Sequence, residues 1–327
     1  MFPFDLFCNK KLKYDVIGAG SVGGTISAFL KSGNKDVRLI TKYPHLVEAA
    51  KKQKGVRLIS TVKGDKIYNV NVVDENNIGK RKSDVIFLCV RTPDIKSTFP
   101  LIRKLAHKNT IVMSISNGFG IADELQKKLP EVNVIESSFV GMSRWFERET
   151  PTYLHQREYC ELKLAVSGSN PIDEKILKQF EKDILEVGMS GGFISLSEMK
   201  TLLFERLITR SPFESCCLLY DITANEIVDE KAVLFRALCD ELVLLAKAMK
   251  INLRNDFVDE YIKNFDEYKK RDDANVVSSI LTDIKRGQKP EIDFFLFIVE
   301  TLAKEHNINL PKYFEIAEKF RQHKNFD

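Results

Sequence analysis

The sequence predicts an α/β protein in two parts: a doubly wound, mostly parallel sheet domain over residues 1–194 and an all-α domain over residues 195–327. Three observations predict it. A short apolar strand, Tyr14-Asp15-Val16-Ile17, runs straight into the glycine turn Gly18-Ala19-Gly20-Ser21-Val22-Gly23. Strand-like and helix-like segments then alternate as far as Phe193. Beyond Ser195 apolar residues recur at three- and four-residue spacing and no strand pattern remains.

The glycine spacing is that of a dinucleotide site, because each glycine has a task. Gly18 permits the tight turn, Gly20 lets backbone approach a pyrophosphate, and Gly23 lets the new helix pack on the strand it left. The helix start then offers free N–H groups and the positive end of a dipole, so Ala19, Ser21 and Val22 belong to the same phosphate cradle. A glycine turn alone is a weak signal, and a purely structural turn is the alternative. Here a strand precedes it, a helix over Thr25–Leu30 continues it, and a second strand, Asp36–Thr41, arrives at βαβ distance. The first domain is therefore read as Rossmann-type.

Further strands are expected at Val56–Ser60, Ile67–Val73, Asp84–Val90 and Thr110–Ile115, with a helix over Asp94–His107 between the last two. Val132–Phe139 and Glu161–Val166 extend the sheet, and Ile172–Val187 reads as a helix. In the second domain helices are expected at Leu196–Ile208, Ala224–Met249, Phe257–Tyr268, Val276–Arg286, Glu291–Glu305 and Tyr313–Phe320.

A chain of 327 residues suits two domains with well-buried cores. Its 50 basic and 46 acidic residues leave a net charge of +4, with the lysines scattered, which argues against nucleic acid as the main partner. Cys8, Cys89, Cys160, Cys216, Cys217 and Cys239 form neither a C-x-x-C pair nor a disulfide spacing, so reduced thiols are expected. The stretch Met1–Phe7 lacks the layout of a signal peptide, and the apolar run Phe294–Val299 is far short of the roughly 20 residues that cross a bilayer. No membrane partner and a cytoplasmic location are expected. His45, His107, His155, His306 and His323 form no metal-ligand spacing, so no metal is expected.

At the end of the second strand of such folds an acid selects NAD and a cation accommodates the extra phosphate of NADP. Thr41 and Lys42 stand there, with no acid before Glu48, so NADP is expected; the alternative is that Lys42 is one more exposed lysine. Arg91 follows the buried strand expected at Asp84–Val90, at the edge where open α/β sheets bind ligands. It faces either cofactor phosphates or an acidic substrate, or is simply solvated. Asn117, in Ser116-Asn117-Gly118, occupies the equivalent place after the next strand, where ordinary turn chemistry is the alternative.

Together these pieces resemble the ketopantoate reductase (2-dehydropantoate 2-reductase) family. Gly18, Gly20 and Gly23 match its glycine turn, Lys42 and Arg91 its two cations, and Asn117-Gly118 the end of its Gln-Asn-Gly. Its C-terminal signature is met by Ser278-Ser279-Ile280-Leu281-Thr282-Asp283 and by Pro290-Glu291-Ile292-Asp293. The resemblance implies an NADP-dependent reductase of pantothenate biosynthesis. Asn117 would touch the cofactor, Glu291 would bind near the nicotinamide, Ser279 would bind substrate, and the helical domain would serve substrate binding and a homodimer.

The resemblance also exposes departures. The family's catalytic lysine and two asparagines lie on the helix that opens its second domain. Anchored on Pro212, they fall on Leu203, Leu207 and Ser211, which leaves Ser211 as a substrate-side residue. Lys200, one turn before Leu203, is the replacement proton donor, although that shift puts Phe204 and Ile208 where the asparagines belong. Reducing a 2-oxo acid needs a hydride, a proton for the alkoxide and positive charge for the carboxylate. The expected function is thus NADP-dependent reduction of a 2-oxo acid or related carbonyl. The alternatives are a catalytically inactive NADP-binding or scaffold homologue, and an opine- or hydroxyacid-type dehydrogenase with a more apolar substrate.

Overall fold

A computed structural model of the chain describes residues 11–147, 149–168, 172–223, 226–227, 231–268 and 278–322. Met1–Phe7, Cys8, most of the first turns of the expected Ala224–Met249 helix, the start of the Val276–Arg286 helix and His323 lie outside the described residues. The chain divides into two compact units, residues 1–116 with 122–199, and residues 117–121 with 200–327.

The first unit is built on an eight-stranded sheet. Its strands are β1 (Lys13–Ile17), β2 (Asp36–Thr41), β5 (Asn71–Asp74), β6 (Val85–Leu88), β7 (Ile111–Ser114), β8 (Asn133–Val140), β11 (Cys160–Val166) and β12 (Met189–Phe193), in the order β12-β11-β8-β7-β6-β1-β2-β5. All pairings are parallel except β8 with β11. Every residue of β6 and β7 is buried, as strands covered on both faces require. The covering helices are α1 (Ser21–Ser32), α2 (Pro44–Gln53), α3 (Phe99–Leu105), α4 (Ile121–Lys128) and α5 (Glu174–Glu186). One ion pair is buried within the sheet: Asp15 accepts two hydrogen bonds from the Arg38 guanidinium, at 2.7 and 2.8 Å, and one from the Ser83 hydroxyl. Three hydrogen bonds, two of them from a paired cation, are what make this buried carboxylate tolerable.

Two expectations are corrected here. Ile67–Val73 is not one strand. Residues up to Tyr68 belong to β4 (Gly64–Tyr68), which pairs with β3 (Val56–Ser60), and a tight turn that joins Val70 N–H to the Tyr68 carbonyl at 2.6 Å redirects the chain into β5. With β9 (Ser143–Glu147) and β10 (Thr152–His155), these strands form a second sheet in the order β4-β3-β10-β9, which packs on α1. The Asp94–His107 segment is likewise two pieces, a 3-10 turn over Thr92–Thr98 and then α3. Pro100 has no N–H to give the Lys96 carbonyl, and Phe99 N–H takes it instead in the tighter pattern.

The second unit is helical: α6 (Leu196–Tyr220), whose first residues belong to the first unit, then α7 (Ala232–Ala248), α8 (Phe257–Tyr268), α9 (Ser279–Lys285), α10 (Ile298–Glu305) and α11 (Pro311–Gln322). The helix expected to stop at Ile208 continues through Pro212, where every residue from Ser211 to Cys217 is buried. Glu241 on α7 caps α11 by accepting the N–H groups of Lys312 and Tyr313 at 2.8 and 3.0 Å. The expected Glu291–Glu305 helix opens with a π-helical turn, Asp293–Phe297, in which the Ile292 carbonyl gathers the N–H groups of Phe295, Leu296 and Phe297.

Candidate functional site

The glycine turn has the shape its spacing predicts. β1 ends at Ile17, Gly18 adopts φ +106° and donates its N–H to the Ile40 carbonyl at 2.9 Å, and a Cβ there would lie 2.5 Å from the Cys89 carbonyl oxygen. At Gly23 a Cβ would meet the Gly18 carbonyl oxygen at 2.0 Å, so only glycine lets α1 lie this close to the strand. Around Gly20 the reverse holds, since a Cβ would find nothing within 4 Å. That open space lies at the N-cap of a twelve-residue helix whose cap makes no side-chain hydrogen bond and whose first turn carries no acid. Ala19, Ser21 and Val22 complete a cradle of amides with room for a diphosphate, and a dinucleotide therefore fits the residues present.

Tyr153, which sequence reasoning missed, supports this turn. Its hydroxyl donates to the Ala19 carbonyl at 2.7 Å, and its ring lies where a Cβ on Gly24 would sit, 2.1 Å from Cε2. Trp145 stacks on the same ring at 5.9 Å. Burial raises the phenol's pKa, so the group stays protonated and remains a donor. No local pattern in the sequence marks a tyrosine on another sheet for this task.

Lys42 and Arg91 come together on Asp94. Lys42 Nζ is 3.8 Å from one Asp94 carboxylate oxygen and Arg91 Nε is 3.4 Å from the other. Lys42 keeps about half of its side chain exposed, beside the Tyr43 ring. Asp94 itself was not singled out from the sequence, although its place three residues after Arg91 is an ordinary ion-pair spacing. After β7, Ser116 donates to the Val90 carbonyl at 2.6 Å and ties this loop to the one that carries Arg91.

Asn117–Ile121 belong to the second unit. Gly118 adopts φ +141°, a Cβ on it would meet Phe294 Cβ at 2.6 Å, and Phe119 packs edge-on to Phe204 at 5.5 Å. The exposed Asn117 carboxamide oxygen accepts from Arg206 Nη2 at 2.6 Å. One turn further along α6, Arg210 Nη2 donates to the Ser279 hydroxyl at 3.2 Å and lies 2.7 Å from Glu214. Glu214 is 2 % exposed and accepts a hydrogen bond from Ser278. Burial raises the Glu214 pKa, while Arg210 and Ser278 act to lower it. Glu291 stands half-buried immediately before the π-helical turn.

The remaining sequence-derived residues are placed differently from one another. Lys200 is exposed on α6, and Leu203 and Leu207 are buried. Ser211, expected on the substrate side, is fully buried; it donates to the Phe295 carbonyl at 2.7 Å and accepts from the Tyr313 hydroxyl at 3.0 Å. Both bonds are internal to the helical unit. Arg206, Arg210 and Glu214 were not singled out from the sequence, where the only sign was their four-residue spacing on one helix. Among the described residues no group of three His, Cys, Asp or Glu side chains is placed to hold a metal ion, and no helix is long and apolar enough to cross a membrane.

An open glycine turn at the carboxyl edge of a parallel sheet, joined to a helical unit, defines a dinucleotide-binding protein of two-domain α/β type. The models of the family described as ketopantoate reductase PanE/ApbA match residues 14–166, and those of its C-terminal domain residues 198–324. The chain belongs to the ketopantoate reductase family. The 2-dehydropantoate 2-reductase of Aquifex aeolicus is 20% identical over 308 residues, covering 92% of this chain and 93% of its own. The crystal structure of 2-dehydropantoate 2-reductase from Methylococcus capsulatus superposes with a TM-score of 0.78 at 21% identity, covering 95% of this chain and 96% of that one. A D-mandelate dehydrogenase, solved in a ternary structure with NADH and anilino(oxo)acetate, superposes with a TM-score of 0.76 at 18% identity, covering 94% and 96%.

Proposed function

We propose that this protein is an NADP-dependent reductase that converts a 2-oxo acid or related carbonyl to the hydroxy compound. The observation that carries the reading is the convergence of Lys42 and Arg91 on one carboxylate, in the same unit as the open, uncapped glycine turn. Two cations that share one carboxylate can turn to the 2′-phosphate that separates NADP from NAD once Asp94 gives way to it. The turn Gly18–Gly23 would hold the diphosphate through amides other than that of Gly18, which is given to Ile40, while Asn117 and Glu291 would orient the nicotinamide end and Ser279 would bind substrate. When bound, the reduced cofactor would supply the hydride that the carbonyl carbon takes up. Lys200, as an ammonium, gives the proton to the alkoxide oxygen and is left as the neutral amine. A role in pantothenate biosynthesis accords with the relatives' name, 2-dehydropantoate 2-reductase, and a cytoplasmic location is part of the same proposal.

Steady-state loss of reduced-nicotinamide absorbance with NADPH and ketopantoate tests this reading. Turnover that Lys200→Ala abolishes is expected. NADPH binding without turnover of ketopantoate or of a panel of 2-oxo acids would defeat it.

Two observations keep other readings in view. The buried Leu203 and Leu207 stand where a lysine and an asparagine are expected, which favours a catalytically inactive NADP-binding or scaffold homologue. The likeness to a D-mandelate dehydrogenase bound to an aromatic oxo acid derivative favours a hydroxyacid-type dehydrogenase with an apolar substrate. Assaying apolar 2-hydroxy acids with both oxidised cofactors separates these two.

A further inference from the structure

Leu203 stands where the family's lysine would supply positive charge for a 2-oxo acid's carboxylate and Leu207 where an amide would stand, yet two cations lie close by on the same helix. Arg206 and Arg210 lie one turn apart, three and seven residues beyond Leu203. Seven residues are two helical turns, so Arg210 shares the face of Leu203, and helical side chains lean back towards the N-terminus. Each guanidinium already touches a residue expected to line the site: Arg206 the Asn117 carboxamide at 2.6 Å, Arg210 the Ser279 hydroxyl at 3.2 Å. All four residues belong to the second unit.

Arg210 is held as a preorganised donor would be. Glu214 grips Nη2 from the interior and Phe295 lies under the guanidinium at 5.8 Å, while 36 % of the side chain stays exposed. Its Nε is buried and makes no hydrogen bond among the described residues, so an incoming carboxylate would meet the Nη1–Nη2 edge. The planar fork of an arginine matches a carboxylate through two parallel hydrogen bonds, which an ammonium cannot do. It does not release a proton at working pH, so its task is binding and not acid catalysis.

We infer that Arg210, assisted by Arg206, is the carboxylate-binding residue of this protein and selects 2-oxo acids over neutral carbonyls. The inference rests on the reductase reading above and names the group that replaces the missing polar residues.

The test is calorimetric titration of the NADP⁺-loaded protein with 2-oxo-3-methylbutanoate and with its amide; the oxidised cofactor prevents reduction. In the wild type the acid binds at least about tenfold more tightly than the amide, as one bidentate charged contact implies. Arg210→Met abolishes that preference and leaves NADP⁺ affinity within twofold, whereas Arg210→Lys keeps part of it. Because Arg210→Met strands a buried carboxylate, the double variant Arg210→Met/Glu214→Gln is titrated beside it and gives the same loss. Equal binding of acid and amide, no binding of either, or a preference untouched in both methionine variants would overturn the assignment. Acid-selective binding without any NADPH oxidation would defeat the reductase reading alone.

Discussion

The phenol of Tyr153 donates to the carbonyl of Ala19 at 2.7 Å across 134 residues of sequence, and that one bond anchors the glycine turn to a sheet outside the dinucleotide-binding core. The turn cannot hold itself. Its glycines are chosen for closeness and open space, and glycines lose the most conformational freedom on ordering. A buried side chain from β10 supplies the fixing contact, with Gly24 shaped to receive its ring.

Tyr153→Phe is therefore expected to cost about 1–3 kcal/mol of stability, because the Ala19 carbonyl loses its partner inside the protein. NADPH affinity falls with it, as the amides flanking Ala19 become less well ordered. Denaturant unfolding and fluorescence titration of NADPH read the two effects, and an unchanged affinity would show that the turn is fixed by other means.

Gly20 and Gly24 separate binding from folding. Gly20→Ala places a methyl group in open space at φ −73°, so stability stays within about 0.5 kcal/mol while NADPH affinity drops at least about tenfold. Gly24→Ala drives a methyl group into the Tyr153 ring and destabilises by about 1–3 kcal/mol. Thermal melts with and without cofactor distinguish the two. Equal loss of stability in both variants would contradict the geometry.

Asp94 competes with a phosphate for Lys42 and Arg91. Removing its charge by Asp94→Asn is expected to raise NADPH affinity over NADH affinity by about tenfold, and Lys42→Ala to reduce that ratio, each effect weakening at high salt. Parallel titrations with both reduced cofactors check the ratio. A Lys42→Ala variant with an unaltered ratio would remove Lys42 from the cofactor site.

His155 makes stability depend on pH. It is fully buried, with Nδ1 3.1 Å from the Ser60 hydroxyl and its ring edge-on to Phe29 at 5.4 Å, and burial lowers its pKa. The native state therefore stays neutral where the unfolded chain, titrating near about 6.5, takes up a proton. Stability is whole above that value and is lost as pH falls below it, by at most about 1.4 kcal/mol per pH unit for a single group. Unfolding measured between pH 7.5 and pH 5.5 should show a flatter slope in His155→Gln than in the wild type.

Much of the fold could be read in advance because its signals are local. β1, the glycine turn and α1 are adjacent in sequence, and the buried runs of β6 and β7 carry their burial in their composition. The Ile67–Val73 segment was misjudged because a two-residue turn within a β-prone run leaves no trace in apolar periodicity. The Pro100 and Pro212 cases show the other limit: both remove one backbone donor, yet the first divides a helix and the second lies within one. Burial around Ser211–Cys217, a tertiary property, accompanies the difference.

Sequence alone determined that this chain folds as a sheet domain followed by helices, and that Gly18, Gly20 and Gly23 form the turn between the first strand and helix, because those features depend on residues a few positions apart. Only the tertiary structure decided that Asp94 joins Lys42 to Arg91, that Tyr153 holds Ala19, that Ser211 is sealed in the helical core and that Arg210 meets Ser279. Each of these pairs residues through packing or through the reach of a long side chain, and the energy that selects such contacts exists only once the intervening elements have closed around them.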